Sequence, residues 1–120
     1  MRILLIDDEP DIRMIARMSL SVLGGMDVLE AASGSEGVDV ARRTSPDGIL
    51  LDMMMPSLDG AGTLALLRAD PQTSGIPVIF LTAKAMTNEV ARLHGMGAAG
   101  VLTKPFDQDQ LWEAVLAVRG

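Results

Sequence analysis

The sequence predicts a doubly wound α/β fold, a parallel sheet with helices on both faces. Three observations carry this. Five short apolar runs alternate with five stretches of helical periodicity. Three of those runs are continuously apolar, the pattern of strands covered on both sides. The chain has 120 residues, 48% hydrophobic and 22% charged, a globular composition of one domain's length. A chain of this size buries roughly two-thirds of its unfolded surface, enough for one core.

The elements follow in order. The first strand is expected at Ile3 to Ile6, and it ends at Asp7. The first helix places Ile12, Ile15, Ala16, Ser19, Leu20 and Leu23 on one stripe. Pro10 sits in its first turn and Gly24-Gly25 stop it. Asp27 to Ala31 reads as the second strand, and a weaker helix runs from about Ser35 to Arg43, before Pro46. The third strand is Gly48 to Leu51, followed by a helix from Gly60 to Arg68 that buries Ala61, Leu64 and Leu67. Pro77 to Leu81 is the fourth strand; Met86, Val90 and Leu93 share a face of the helix after it. Gly100 to Leu102 is the fifth strand. The last helix opens on Asp107 as N-cap with Gln110 three residues on, then Leu111, Ala114, Val115 and Val118 on one stripe. Crossovers of this length favour right-handed parallel connections. No repeat, low-complexity tract or linker interrupts the pattern, so residues 1–120 are expected to form a single domain.

Composition excludes several functions. Cysteine is absent, which removes disulfides and thiolate metal sites. Ten basic residues face sixteen acidic ones, a net charge of −6 that repels a phosphate backbone. Phe80, Phe106 and Trp112 are the only aromatics, too few for a stacking platform. No apolar run is long enough for a signal peptide or a membrane span, so a cytoplasmic location is expected, without nucleic-acid or membrane contact. The methionines read as core fillers, His94 as a helix-end imidazole, Trp112 as the edge of a packed stripe, and Arg42-Arg43 as a solvated helix end.

In such a sheet, ligands bind at the carboxyl ends of the strands. Asp7, Asp8 and Glu9 follow the first strand and Asp52 the third. Thr82 follows the fourth, and Lys104-Pro105 the fifth. Two carboxylates about 5 Å apart repel by roughly 3 kcal/mol at an effective dielectric of 20. A small domain has a margin of only about 5–15 kcal/mol, so a cation is needed to offset that repulsion. Lys104 is one. Oxygen-only ligands without His or Cys point to a hard dication, and open positions favour Mg²⁺ over calcium. Asp7 through Asp11 also lacks the spacing of a calcium loop. Carboxylate, metal, hydroxyl and lysine together suit phosphoryl transfer to an aspartate. Asp52 stands alone on the middle strand as the nucleophile, with Asp7 and Asp8 as metal ligands.

At these residues the chain resembles the receiver domains of two-component response regulators. The resemblance rests on Ile6-Asp7-Asp8-Glu9-Pro10, on Leu51-Asp52-Met53-Met54-Met55-Pro56 with Asp59-Gly60, on Leu81-Thr82-Ala83, and on Lys104-Pro105-Phe106. It covers essentially the whole chain. It implies a flavodoxin-like, CheY-like (βα)5 fold with strand order 2-1-3-4-5. By the same resemblance Asp52 is the phosphoacceptor, Asp8 and Asp7 serve the metal, and the Met54 backbone carbonyl completes its site. Thr82 is the switch hydroxyl and Lys104 the family's lysine. The peptide before Pro105 is cis, and Gly60 lies where a side chain would crowd the backbone. The implied partners are a sensor histidine kinase or phosphotransfer protein upstream. Downstream, an effector protein or a second copy would read the surface of the fourth helix, fifth strand and fifth helix. The implied role is a signalling switch rather than a turnover enzyme.

Two positions depart from the family's common pattern. Val101 stands where family members usually carry Tyr or Phe, so no ring can report the switch. Met54 and Lys84 flank the site where many members place polar or acidic groups that orient water, which predicts a persistent phosphoryl aspartate. Three alternative readings fit the residues less well. A metal-dependent aspartyl phosphatase needs D-x-D after its first strand, which Asp7-Asp8-Glu9 lacks. An FMN module needs a Ser/Thr/Gly-rich phosphate loop in place of those acids. A receiver-like module acting by protein contact alone would not need its acidic and switch positions intact, as they are here.

Overall fold

The computed structural model describes residues 1–23, 25–83 and 87–119, the side chains at 22, 23, 87, 118 and 119 excepted. The Leu23 and Val118 side chains, Gly24, Lys84 and Met86, all named above, therefore lie outside the described residues. Five parallel strands, β1 (Arg2–Ile6), β2 (Asp27–Ala31), β3 (Gly48–Asp52), β4 (Val78–Thr82) and β5 (Gly100–Thr103), form one sheet of order β2-β1-β3-β4-β5. The helices are α1 (Pro10–Arg17), α2 (Gly34–Thr44), α3 (Gly60–Ala69), α4 (Thr87–Gly95) and α5 (Gln108–Arg119).

Alternation along the strands divides the core in two. Leu4, Ile6, Ile49, Leu51, Val78 and Phe80 face the side covered by α2, α3 and α4, where Val38, Leu64, Leu67 and Leu93 pack. Ile3, Leu5, Leu50, Ile79, Leu81 and Leu102 face α1, the segment that continues it, and α5, which contribute Ala16, Leu20, Leu111 and Val115. Every residue of β3 and β4 is buried, as their uninterrupted apolar runs require. β4 begins one residue later than expected: Pro77 has no N–H for the ladder, though its carbonyl accepts from Ile49.

The first helix differs from its expected form. It continues past Arg17 as a π-helical segment, Met18–Leu23, in which the Ser21 hydroxyl donates to the Arg17 carbonyl. Ala16, Ser19 and Leu20 are buried and Ile12 packs beside them, but Ile15 is 49% exposed. It lies at the margin of the stripe, and α1 meets the sheet on one narrow face.

The methionines are not mostly core fillers: Met26, Met53 and Met55 are buried, but Met1, Met14, Met18 and Met54 are exposed. The remaining expectations hold with small shifts. Asp107 and Gln110 form a full capping box at α5: the Gln110 amide donates to Asp107 Oδ1 (2.8 Å) and the Asp107 amide to Gln110 Oε1 (2.9 Å). Trp112 packs at the edge of the α5 core face, and the His94 Nδ1 lies 3.1 Å from the Ala98 carbonyl at the end of α4. Arg42 and Arg43 are not simply solvated. Arg42 pairs with Asp70 just past α3, and Arg43 with Asp39 one turn earlier in α2. No helix among the described residues is long and apolar enough to cross a membrane.

Candidate functional site

The sheet order builds the site. β1 and β3 are adjacent, with Ile6 opposite Leu51, so the next residues, Asp7 and Asp52, leave the sheet side by side. β4 lies on the other side of β3, with Leu81 opposite Asp52 and Thr82 opposite Thr103 of β5. One step beyond Thr103 is Lys104, whose amide donates to the Thr82 carbonyl at 2.7 Å. The chain leaves β1 toward β2 on one side and later enters β3 on the other. This reversal is where a doubly wound sheet opens a crevice at its carboxyl edge. The Lys104–Pro105 peptide is cis.

Asp7 and Asp52 are almost fully enclosed, at 1% and 3% exposure. Lys104 Nζ lies 3.0 Å from Asp7 Oδ2, 3.3 Å from Asp52 Oδ1 and 3.5 Å from Glu9 Oε1. The Met54 amide also donates to Asp52 Oδ1, at 3.3 Å. The other oxygen, Asp52 Oδ2, is buried with no hydrogen-bond partner among the described residues. Such an orphaned acceptor costs about 1–3 kcal/mol, more when charged. Burial pushes the Asp52 carboxyl up to about 6, reinforced by the Asp7 charge; Lys104 and the Met54 amide pull the other way. Burial works to lower the pKa of Lys104, yet the hydrogen bond and charge of Asp7, with help from Asp52, outweigh it and hold the ammonium above its ordinary value.

Carboxylate oxygens of Asp7, Asp8, Glu9 and Asp52 lie within 4.8 Å of one another. One lysine does not neutralise four acids. An oxygen-only set with a bare, buried Asp52 Oδ2 fits a small hard dication such as Mg²⁺.

Of the residues named from sequence, Asp7, Asp8, Asp52 and Lys104 converge. Thr82 is buried at the neighbouring strand end. Met54 sits beside Asp52 through its amide while its side chain is 76% exposed. Gly60 is necessary where it stands: a Cβ there would lie 2.6 Å from the Asp52 carbonyl oxygen and 2.8 Å from Met53 Cα. Two participants were missed. Glu9 joins the carboxylate group, and its adjacency to Asp7-Asp8 was the available signal. Arg13 donates to the Asp7 carbonyl at 2.7 Å while its Nε pairs with Glu30 at 3.3 Å. Nothing in the spacing of Arg13 announces that contact.

Five βα units carrying acids and a lysine on one sheet edge place the chain in a definite class. It belongs to the response regulator receiver domain family, which it matches over residues 3–116. It is a receiver domain of two-component signalling, and phosphoacceptance is that family's function. Among its relatives is Protein PilH of Pseudomonas aeruginosa, 38% identical over 117 residues that cover 98% of this chain and 96% of that protein. The DNA-binding dual master transcriptional regulator RpaA of Synechocystis is also 38% identical over 117 residues, covering 98% of this chain and 48% of RpaA. The chain thus spans about half the length of that relative and nearly all of PilH. The chemotaxis response regulator CheY4 of Vibrio cholerae superposes with a TM-score of 0.91 at 28% identity, covering 98% of this chain and 97% of that one.

Proposed function

We propose that residues 1–120 act as one receiver unit in which Asp52 takes a phosphoryl group from the phosphohistidine of a sensor histidine kinase or phosphotransfer protein. The observation that carries this is the state of Asp52: enclosed, held at Oδ1 by Lys104 and the Met54 amide, and left at Oδ2 with no partner among the described residues. A carboxylate oxygen of Asp52 attacks phosphorus, the P–N bond to the imidazole breaks, and the electron pair leaves with nitrogen. Lys104, already poised between Asp7 and Asp52, neutralises charge on the phosphoryl oxygens. Thr82 donates its hydroxyl to one of them. Asp7, Asp8, Asp52 and the Met54 backbone carbonyl would hold Mg²⁺. That ion supplies the positive charge that crowded carboxylates and an incoming phosphoryl group both require.

The modification places about −1.5 to −2 charge units at the carboxyl edge of the sheet. Thr82 moves toward it, biasing the surface of α4, β5 and α5 between two arrangements. Val101 in β5 is half-buried against the core on the α4 side, so the response travels through backbone and loop rather than a swinging ring. An effector protein or a second copy reads that surface. Direct contact with nucleic acid or membrane forms no part of this reading, and the cytoplasm is the setting it fits.

Intact mass after incubation with acetyl phosphate and Mg²⁺ tests the assignment. One phosphoryl adduct is expected, dependent on the metal and absent in Asp52→Asn. An adduct that persists in Asp52→Asn refutes it.

A further inference from the structure

The ends of β3 and β4 and the start of α4 line a cavity of about 280 Å³, bounded by Met53, Met54, Thr82, Ala83 and Glu89. β1 lies on one side of β3 and β4 on the other, so this cavity and the Asp7–Asp8 carboxylates flank Asp52 from opposite sides. Met54, whose amide donates to Asp52 Oδ1, belongs to both the site and the cavity. Three of the five lining residues are apolar. Thr82 and Glu89 are the polar ones, and Glu89 brings the only carboxylate. Glu89 stands in the first turn of α4, half-buried, and its carboxylate forms no ion pair or hydrogen bond with another described residue.

We propose that Glu89 positions the water that hydrolyses the phosphoryl group on Asp52, and so sets the lifetime of the phosphorylated state. The inference rests on Asp52 being the phosphoacceptor. In the step, the water oxygen attacks phosphorus while its proton passes to the Glu89 carboxylate. The P–O bond to Asp52 breaks, its electron pair returns to the Asp52 carboxylate, and inorganic phosphate leaves. Glu89 then releases the proton to solvent.

Three features of the cavity support this role. Its volume is several times the ~30 Å³ that one water occupies in the liquid. A held water takes about two to four polar partners, and this lining offers few, the strongest acceptor being Glu89. Asp7, Asp8 and Glu9 form the cation-binding group on the opposite side of Asp52, and the remaining groups near the phosphoryl site are poor substitutes. The Met54 thioether is a weak acceptor, and the Lys104 ammonium has no lone pair to receive a proton. The expectation of a long-lived phosphoryl aspartate rested on Met54 and Lys84. Glu89 reaches the same region from the next helix, supplying a carboxylate that those two positions lack.

A carboxylate is a good leaving group, so the attacking water needs only partial deprotonation in the transition state. The effect of Glu89 is therefore about tenfold, below the 10²–10⁴ of a fully engaged general base. The test uses the whole chain, loaded with acetyl phosphate and Mg²⁺, freed of donor by desalting, and followed by intact mass. Glu89→Gln keeps the shape but replaces the carboxylate by a neutral amide, whose oxygen can still accept a hydrogen bond but cannot take the proton. Loss of the phosphoryl group should slow about tenfold, and the fraction phosphorylated at steady state with donor present should rise. A merely damaged site would lower that fraction. Glu89→Ala, which loses the acceptor oxygen as well as the base, should decay at least as slowly as Glu89→Gln. Decay at the wild-type rate in both variants overturns the proposal, as does slower decay with a lower steady-state fraction. Absence of any adduct on the wild-type chain overturns the phosphoacceptor reading itself, and the role of Glu89 with it.

Discussion

Replacing Asp52 by Asn should stabilise the metal-free protein near neutral pH. In the folded chain the Asp52 carboxyl is raised from 3.8 to about 6, chiefly by burial and then by the charge of Asp7. The folded state therefore binds this proton more tightly than the unfolded state does. The stability that follows is complete below about pH 4 and is lost as pH rises through about 6. At pH 7.5 the wild-type chain has given up roughly 3 kcal/mol, taking about 1.4 kcal/mol for each pH unit of displacement. Asn has nearly the same shape, can still accept from the Met54 amide, and leaves Lys104 to Asp7. Some of the gain is lost with the Lys104–Asp52 attraction, so a net of about 1–3 kcal/mol is expected, or several degrees in Tm. Thermal melts in EDTA at pH 7.5 and pH 5 measure it, with the advantage of Asn shrinking at the lower pH. Magnesium should narrow the gap by raising wild type more than the variant. At ten times Kd the gain is about 1.4 kcal/mol. An Asn variant clearly less stable than wild type in EDTA at pH 7.5 would refute the argument that like charges crowd this crevice.

Three further outcomes follow from the same geometry. Lys104→Met removes the one cation that, among the described residues, touches Asp7, Glu9 and Asp52, and should cost about 3 kcal/mol in EDTA, as breaking a buried pair does. Urea unfolding with and without Mg²⁺ should show part of that loss restored by the metal. Gly60→Ala drives a methyl into the Asp52–Met53 backbone and should cost about 1–3 kcal/mol, read as a lower urea midpoint with unchanged slope. Arg13→Ala frees the Asp7 carbonyl and should weaken Mg²⁺ binding up to about tenfold by calorimetry. Unchanged affinity would show that the Asp7 turn holds its shape without that guanidinium.

What could be learned from the residues alone was considerable. The continuous apolar runs of β3 and β4 announced buried parallel strands, because a strand covered on both faces cannot alternate. The Asp107–Gln110 spacing announced the start of α5, because a capping box is a local interaction. The acids after the first and third strands marked the site, because strand ends of such a sheet meet at one edge. Tertiary structure alone decided the rest. Ile15 reads as core on any helical wheel, and only the narrow contact of α1 with the sheet leaves it in solvent. The orphaned Asp52 Oδ2, the reach of Lys104 across three acids, the Arg13 bond to a backbone carbonyl and the Glu89 cavity all depend on distances between segments far apart in the chain. A sequence records which groups are available and their local spacing. How far apart they stand, and whether water reaches them, is set by how the sheet twists and the helices pack, and those two quantities govern the electrostatics of the site.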